Sequence, residues 1–268
     1  PVDRVLLIVG DHAGQSTYDQ VRHQRGLDRP LPVQFWHYLQ NLAHGDLGTA
    51  SATGQPVLQD LLHAFPATLE LATLALIIGS VLGVIAGVLC ARYAGSPLDL
   101  AIRTLTLLGN SVPIFWLGLL MLALFSVKLG WTPICCAGPI GIPSEDVTFI
   151  ERLQHLILPL TALTLFGVAQ IALHSRAKLI EVLQSDYITF ARAQGARQGD
   201  IILRHGVRNS ALPALTVLFA SIGEIFGGAI LAEQVFAWPG LGRAAVEAGI
   251  RGDVALLLAV AMLTTVVV

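Results

Sequence analysis

Twenty consecutive residues without a charge, Leu71 to Cys90 (LATLALIIGSVLGVIAGVLC), constrain this chain more than any other feature. A helix rises about 1.5 Å per residue, so the run matches a hydrocarbon core of about 30 Å. The rest of the composition agrees. Of 268 residues, 54% are hydrophobic and 13% charged, and the mean hydropathy is +0.69. A soluble domain carries about 25% charged residues. With a net charge of −2 there is no overall basic excess to suggest a nucleic-acid partner.

Further apolar runs follow at Thr104–Val127, interrupted by Asn110 and Pro113, at Leu156–Leu173 with Pro159 inside, and at Ala211–Ala232 with Glu224 inside. Val254–Val268 begins a fifth. Gly and Pro are tolerated in such runs because neighbouring helices satisfy the backbone, and GSVLG (Gly79–Gly83) and Gly227–Gly228 suit close helix packing. The fold class expected is all-α and polytopic.

Residues 1–66 are polar and mixed, with short amphipathic helical pieces. No signal peptide opens the sequence. The ends suggest a longer protein, with a helix before Pro1 and a sixth span completed after Val268. The three cysteines give no disulfide framework: Cys90 reads as packing, and the adjacent Cys135 and Cys136 as a plain loop, since neighbouring cysteines rarely bond each other. A soft-metal site would need more ligands than that pair supplies.

Charge sets the orientation. One set of loops holds Arg92, Arg103, Arg176, Lys178, Arg192, Arg197, Arg204 and Arg208, eight cations in about 50 residues. The alternate set holds Arg4, Arg22, Arg25, Arg29, Lys128, Arg152, Arg243 and Arg251, spread over about 110. The denser set is expected to be cytoplasmic. FARAQGARQGDIILRHGVRNSALP (Phe190–Pro213) is then a cytoplasmic loop between greasy helices. Gly195 is a helix stop. Asp200 begins the next helical piece, and Arg204, His205 and Arg208 fall in its later turns, as the helix dipole favours. The result is a helix–turn–helix of about 25 residues on the membrane surface. Topogenic charge alone explains the arginines but not this pattern.

The segment from Asp186 to Pro213 resembles the "EAA" loop of ABC importer permeases, in the dipeptide, oligopeptide and nickel transporter family. The resemblance extends to GLDRPLPVQFWHYLQNLAHGDLGTA (Gly26–Ala50), FPATLELA (Phe65–Ala72), SVPIFWLGLL (Ser111–Leu120), VKLGWTP (Val127–Pro133), HLILPLTAL (His155–Leu163) and FAWPGLGR (Phe236–Arg243). These stand in the order of that family's first permease. The glutamate that opens the usual EAA form is absent, with Thr189 and Phe190 near its place.

The resemblance implies a type I ABC importer permease fold of six transmembrane helices. Residues 1–66 would be an extracytoplasmic segment and 67–268 the transmembrane permease domain, with a cytoplasmic coupling loop over 176–210. The implied partners are a second homologous permease, two ABC ATPase subunits, an extracytoplasmic solute-binding protein and the lipid bilayer of a bacterial inner membrane. The chain has no G-x-x-x-x-G-K-[ST] phosphate loop, so ATP and Mg are expected on the ATPase partners and no cofactor or metal in this chain. IGE (Ile222–Glu224) and FAWPG resemble nickel-type members, so nickel, free or chelated, stands slightly ahead of short peptides as cargo.

Candidate residues follow from both lines. Gly195 is the expected turn of the coupling loop, with Ala191, Arg192, Ala193 and Arg197 as ATPase contacts, although topogenic charge explains the arginines nearly as well. Glu224 is an ionisable group inside a span and so a candidate for the translocation pathway, against a protonated glutamate at a helix interface. Asn110 and Pro113 are expected to bend the chain beside that pathway, or to form a purely structural kink. Gln170 and His174 read as interfacial. Trp238, Pro239 and Gly240 are candidates for an external gate, with an aromatic-belt anchor as the alternative for Trp238. A receptor or scaffold would leave the loop unexplained. A channel or proton-coupled carrier would need more intramembrane charge. An enzyme would need a third group beside Cys135 and His155. Cysteine-accessibility labelling should find position 197 cytoplasmic and position 55 external; both on one side would overturn the topology.

Overall fold

The computed structural model describes residues 14–24, 28–50, 54–143 and 146–267, with the side chains of 15, 21, 24, 198, 203–205, 208–215 and 217 left aside. Arg4, Arg25, Pro1 and Val268, used in the sequence reading, lie outside the described residues, as do the side chains of Arg204, His205 and Arg208. The described chain is helical, with a lone antiparallel bridge between Thr49 and Pro56. It forms two compact units, residues up to 67 with 240–267, and residues 68–239.

The first unit contains α1 (Gln15–Gln24), α2 (Leu31–Ala43), the first turns of α3 (Val57–Arg92), α9 (Leu241–Arg251) and α10 (Val254–Val267). Its core gathers Ala50, Val57, Leu61 and Ala64 with Leu241, Ala259 and Val260. Gly252, at φ +68°, ends α9, and Asp253 starts α10 by accepting the Leu256 amide at 3.2 Å. Three residues apart, that bond serves one of the amides a helix start leaves without an intrahelical partner.

The second unit holds the rest of α3, then α4 (Pro97–Ser111), α5 (Ile114–Met121), α6 (Phe149–Leu183), α7 (Asp186–Ala193) and α8 (Arg208–Val235). Leu122–Lys128 continues α5 in wider π-type turns. α4 starts on Ser96, whose hydroxyl accepts the Asp99 amide, with Pro97 in the first turn. α6 opens on a capping box in which Thr148 and Glu151 satisfy each other's amides. It then runs for 35 residues through Pro159.

α3 and α6 meet through glycine. Gly79, Gly83 and Gly87 lie four apart on α3 and face α6. A Cβ at Gly83 would come within 2.7 Å of the Ile171 side chain, and one at Gly87 within 2.6 Å of Ser175 Cβ and 2.8 Å of the Ala172 carbonyl. The GSVLG pattern anticipated this approach, and Gly87 extends it by one turn.

Among the described residues, three helices are long and apolar enough to cross a membrane: α3, α6 and Leu218–Val235 within α8. The Thr104–Val127 run is not one straight span. α4 and the α5 segment make an angle of 102° at Val112–Pro113. Val112 is extended, at φ −90° and ψ 125°, the conformation a following proline imposes. The expected bend is therefore present, and sharper than a kink. α10 is a shorter apolar helix of 14 residues.

A second expectation is corrected. Cys135 and Cys136 are bonded to each other, with their Cα atoms 3.7 Å apart. Adjacent Cα atoms are always about this close. Here Cys136 takes φ +75°, a left-handed turn within the linked pair. The bond leaves this pair no thiolate for a metal. Cys90 is buried, as expected.

Gly87→Ala should destabilise the protein by about 1–3 kcal/mol, the range for overpacking. Gly109→Ala, where the new methyl meets nothing within 4 Å, should not. Thermal unfolding of the two purified variants measures the difference.

Candidate functional site

α6 threads three polar clusters of the second unit. The first is at its N-terminal end. Arg152 Nε donates to both Glu70 carboxylate oxygens, at 3.0 and 3.1 Å, and Nη2 donates to Oε2 as well. The same guanidinium lies over the Trp238 ring, 5.2 Å from its centre. Such stacking adds about 0.5–2 kcal/mol, most where water is excluded. Trp238 is wholly buried, so it is not a lipid-facing belt residue.

The chain reaches that position through a reversal after α8. Ala237 takes φ +51°, and the Trp238 amide donates to the Glu233 carbonyl at 2.9 Å. Glu233 is itself fully buried, and its carboxylate accepts the Thr68 hydroxyl at 2.6 Å. The Cys136 amide donates to the Phe236 carbonyl at 2.9 Å, tying the disulfide loop to the same corner. A cavity of about 360 Å³ opens beside it, lined by Cys136, Pro139, Ile140, Val147, Arg152 and Pro239. Four chain segments thus converge on Trp238 and Pro239. Gly240, the third member of the expected gate, follows them as the N-cap of α9.

The second cluster is at mid-helix. Gln170 Nε2 on α6 donates to Glu224 Oε2 on α8 at 3.1 Å. Glu224 is exposed on this chain. An exposed carboxylate in a span is costly against lipid, about 2.5–3.5 kcal/mol for a charged acidic group at mid-depth on insertion scales. His174 is one turn further on, its ring nitrogen at 2.9 Å from the Gln170 carbonyl. Asn110 and Pro113 are both exposed and flank the sharp bend. Among the described residues no hydrogen bond joins either of them to Glu224. Among the described residues no group of three His, Cys, Asp or Glu side chains could hold a metal ion.

The third cluster is at the C-terminal part of α6. Arg176 makes a two-pronged pair with Asp99, Nε to Oδ1 and Nη2 to Oδ2, both at 2.8 Å. Asp99 is 1% exposed and also accepts the Gly95 amide at 3.0 Å. Beyond it, the chain folds as the expected helix–turn–helix. α7 ends in a Schellman motif: the Gly195 amide donates to the Arg192 carbonyl at 2.9 Å and the Ala196 amide to Ala191 at 3.1 Å. Gly195 sits at φ +84°. A short turn at Gln198–Asp200 then leads through π-type turns (Ile201–Val207) into α8.

Leu179, Ile188 and Ile201 are each fully buried and anchor this loop. Arg192, Ala193, Gly195 and Arg197 are exposed and Ala191 half-buried. Tyr187 and Phe190, three apart on α7, are exposed as well. Neither Arg192 nor Arg197 forms an ion pair among the described residues.

The sequence reading missed Glu70, Arg152, Asp99, Arg176 and Glu233 as parts of sites. Their signal was positional: each charge stands within a few residues of the end of an apolar run.

Residues 79–268 match the family described as "Binding-protein-dependent transport system inner membrane component", and residues 1–72 match its N-terminal companion. The chain is 36% identical to the di/tripeptide transport system permease protein DppB of Pseudomonas aeruginosa, over 94% of its own length and 80% of the relative. It is 39% identical to the probable D,D-dipeptide permease DdpB of Escherichia coli, over 90% and 76%. It is 37% identical to the glutathione permease GsiC of Pectobacterium atrosepticum, over 92% and 76%. In fold it is similar to a chain of the inward-facing MetNI methionine ABC transporter, with a TM-score of 0.63 at 18% identity, covering 78% of this chain and 90% of that one.

Arg176→Gln should leave the Asp99 carboxylate buried without its partner, at a cost of about 3–5 kcal/mol. The double variant Asp99→Asn/Arg176→Gln should recover much of that loss. A double-mutant cycle read by thermal unfolding checks the coupling.

Proposed function

The chain belongs to the binding-protein-dependent transport system inner membrane component family and is the permease of an ABC importer, and from that premise we propose that it forms half of a peptide pathway in a bacterial inner membrane. A second, homologous permease completes the pathway. Two ABC ATPase subunits dock on the cytoplasmic loops of the two permeases, in this chain on the loop over 176–210, and an extracytoplasmic binding protein delivers cargo. ATP and Mg are held by the ATPases, and this chain supplies no hydrolytic site.

The observation that carries the reading is the helix–turn–helix after Asp186. It is anchored from below by Leu179, Ile188 and Ile201 and presents Tyr187, Phe190, Arg192 and Arg197 outward. A buried root with an exposed tip is what a docking element requires. Sidedness follows the cation density, with residues 1–66 outside. The Cys135–Cys136 bond supports it, because disulfides persist on the oxidising side.

Short peptides are the proposed cargo because three relatives named above carry di/tripeptide, D,D-dipeptide or glutathione in their names. Nickel, which the sequence put slightly ahead, is not named by those relatives. Glu224, held by Gln170, lines the pathway, and the second permease or the pathway's water covers it. Trp238, Pro239 and Gly240 belong to the external gate, clamped by Arg152. Asn110 and Pro113 bend the chain beside the pathway.

The complete importer in proteoliposomes, assayed with a radiolabelled dipeptide and with nickel, tests this. ATP-driven uptake of the dipeptide is expected. Gly195→Pro should abolish it while assembly of the membrane part survives, because proline cannot donate the amide or adopt φ +84°. Uptake of nickel alone, lost in Glu224→Gln, would overturn the peptide reading. Normal coupled uptake in Gly195→Pro would overturn the docking site.

A further inference from the structure

α2 (LPVQFWHYLQNLA) contains no charged residue. At 100° per residue most of its side chains divide between two faces, with Val33 an apolar exception on the polar one. Leu31, Phe35, Leu39 and Leu42, with Trp36 and Tyr38 at the margins, share one face; His37, Gln40 and Asn41 fall on the other. In a soluble domain the first face would be buried. Here Leu31 is 78% exposed, Phe35 62% and Trp36 61%, and α2 has no buried residue.

The Tyr38 hydroxyl, at 3.1 Å from Met262 Sδ, shows what the uncovered face adjoins. Met262 is on α10, whose 14 residues (VALLLAVAMLTTVV) are also uncharged. Asp253 marks the polar start of that helix. Met262 is nine residues beyond Asp253, or about 13 Å along the axis. That passes a headgroup layer of about 5–7 Å and reaches the edge of the acyl chains. The apolar face of α2 therefore continues an apolar surface already at membrane depth.

We propose that α2 is an interfacial helix, lying in the outer surface of the bilayer with Leu31, Phe35 and Leu39 in the acyl boundary and His37 and Asn41 toward water. A helix with a wide apolar face and a polar opposite face is the form that lies in the interface. Trp36 and Tyr38 are the residue types that prefer headgroup depth. Arg29, which binds His37 at 2.8 Å, and Asp46 keep charge to either side of the helix. The occupant of the exposed face is lipid, and the segment between the spans is held against the membrane rather than projecting from it. The inference rests on the membrane placement of α10 in the function proposed above.

The test uses the whole importer in nanodiscs, with single cysteines carrying an environment-sensitive fluorophore in a Cys90→Ala background. Labels at Leu31, Phe35 and Leu39 should be quenched by doxyl-labelled lipid and emit to the blue. Labels at His37, Gln40 and Asn41 should be quenched by a water-soluble quencher instead. Labels at Leu258 and Val266 on α10 report separately on that helix. If they meet lipid while both faces of α2 meet only water, the interfacial helix is overturned and the span stands. If the apolar face of α2 is shielded from both quenchers, a protein partner covers it, and the proposal is again overturned. If Leu258 and Val266 meet no lipid, the placement of α10 fails, and the inference with it.

Discussion

The second unit depends on how closely α3 and α6 approach. In lipid, apolar side chains gain little by leaving one another for a neighbouring helix, so association rests on packing of backbones and on polar contacts. Gly79, Gly83 and Gly87 provide the packing, with the Ala172 carbonyl only 2.8 Å from where a side chain at Gly87 would begin. Two Arg–carboxylate pairs provide the rest. Arg152 binds α3 through Glu70, and Arg176 binds the start of α4 through Asp99. The arginines are 24 residues apart on one helix, about 36 Å. That length frames a hydrocarbon core of about 30 Å. The pairs set the register of the helices, and the glycines let them touch in that register.

Because α6 is one helix of 35 residues, it joins sites that the sequence separates. Its start holds Trp238 under the Arg152 guanidinium, its middle presents Gln170 to Glu224, and its end leads through Gln184 into α7. The loop around Gly195 follows one end of this helix, and the Trp238 corner is held at the other. Packed helices have discrete arrangements and do not deform continuously. The Glu70–Arg152 pair and the stacked Trp238 hold one such arrangement at the start of α6.

What was legible in the sequence was whatever local pattern dictates. Leu71–Cys90 could only be a span, Pro113 had to push Val112 out of the helix, and Gly195 had to end α7. The turn after Ala193 was readable because a left-handed residue favours glycine. The partners of Glu70 and Asp99 were not, since they lie 82 and 77 residues away. A coarser clue was present: Glu70 and Arg152 precede the first and third apolar runs, and Asp99 and Arg176 precede the second and follow the third, so alternation of the runs puts each pair on one side. The Cys135–Cys136 bond was missed because it depends on a left-handed backbone at Cys136, which the residue type does not announce. The 102° break was underestimated because apolar residues resume directly after Pro113, so the run read as one bent span.

With 13% charged residues, this chain makes each charge informative. In the second unit two pairs of charges near the ends of the apolar runs are matched, Glu70 with Arg152 and Asp99 with Arg176. Asp99 is nearly sealed from solvent, and Glu70 and Arg152 are each about 30% exposed at the side chain. A matched, partly buried pair has its electrostatic demand met within the chain, so it builds the fold. Arg192 and Arg197 on the coupling loop are exposed and form no ion pair among the described residues, and Glu224 has an amide where Asp99 has a guanidinium. A neutral amide leaves most of a carboxylate's charge uncompensated. These two pairs therefore build the architecture of the second unit, while Arg192, Arg197 and Glu224 remain available to other molecules in the function proposed above.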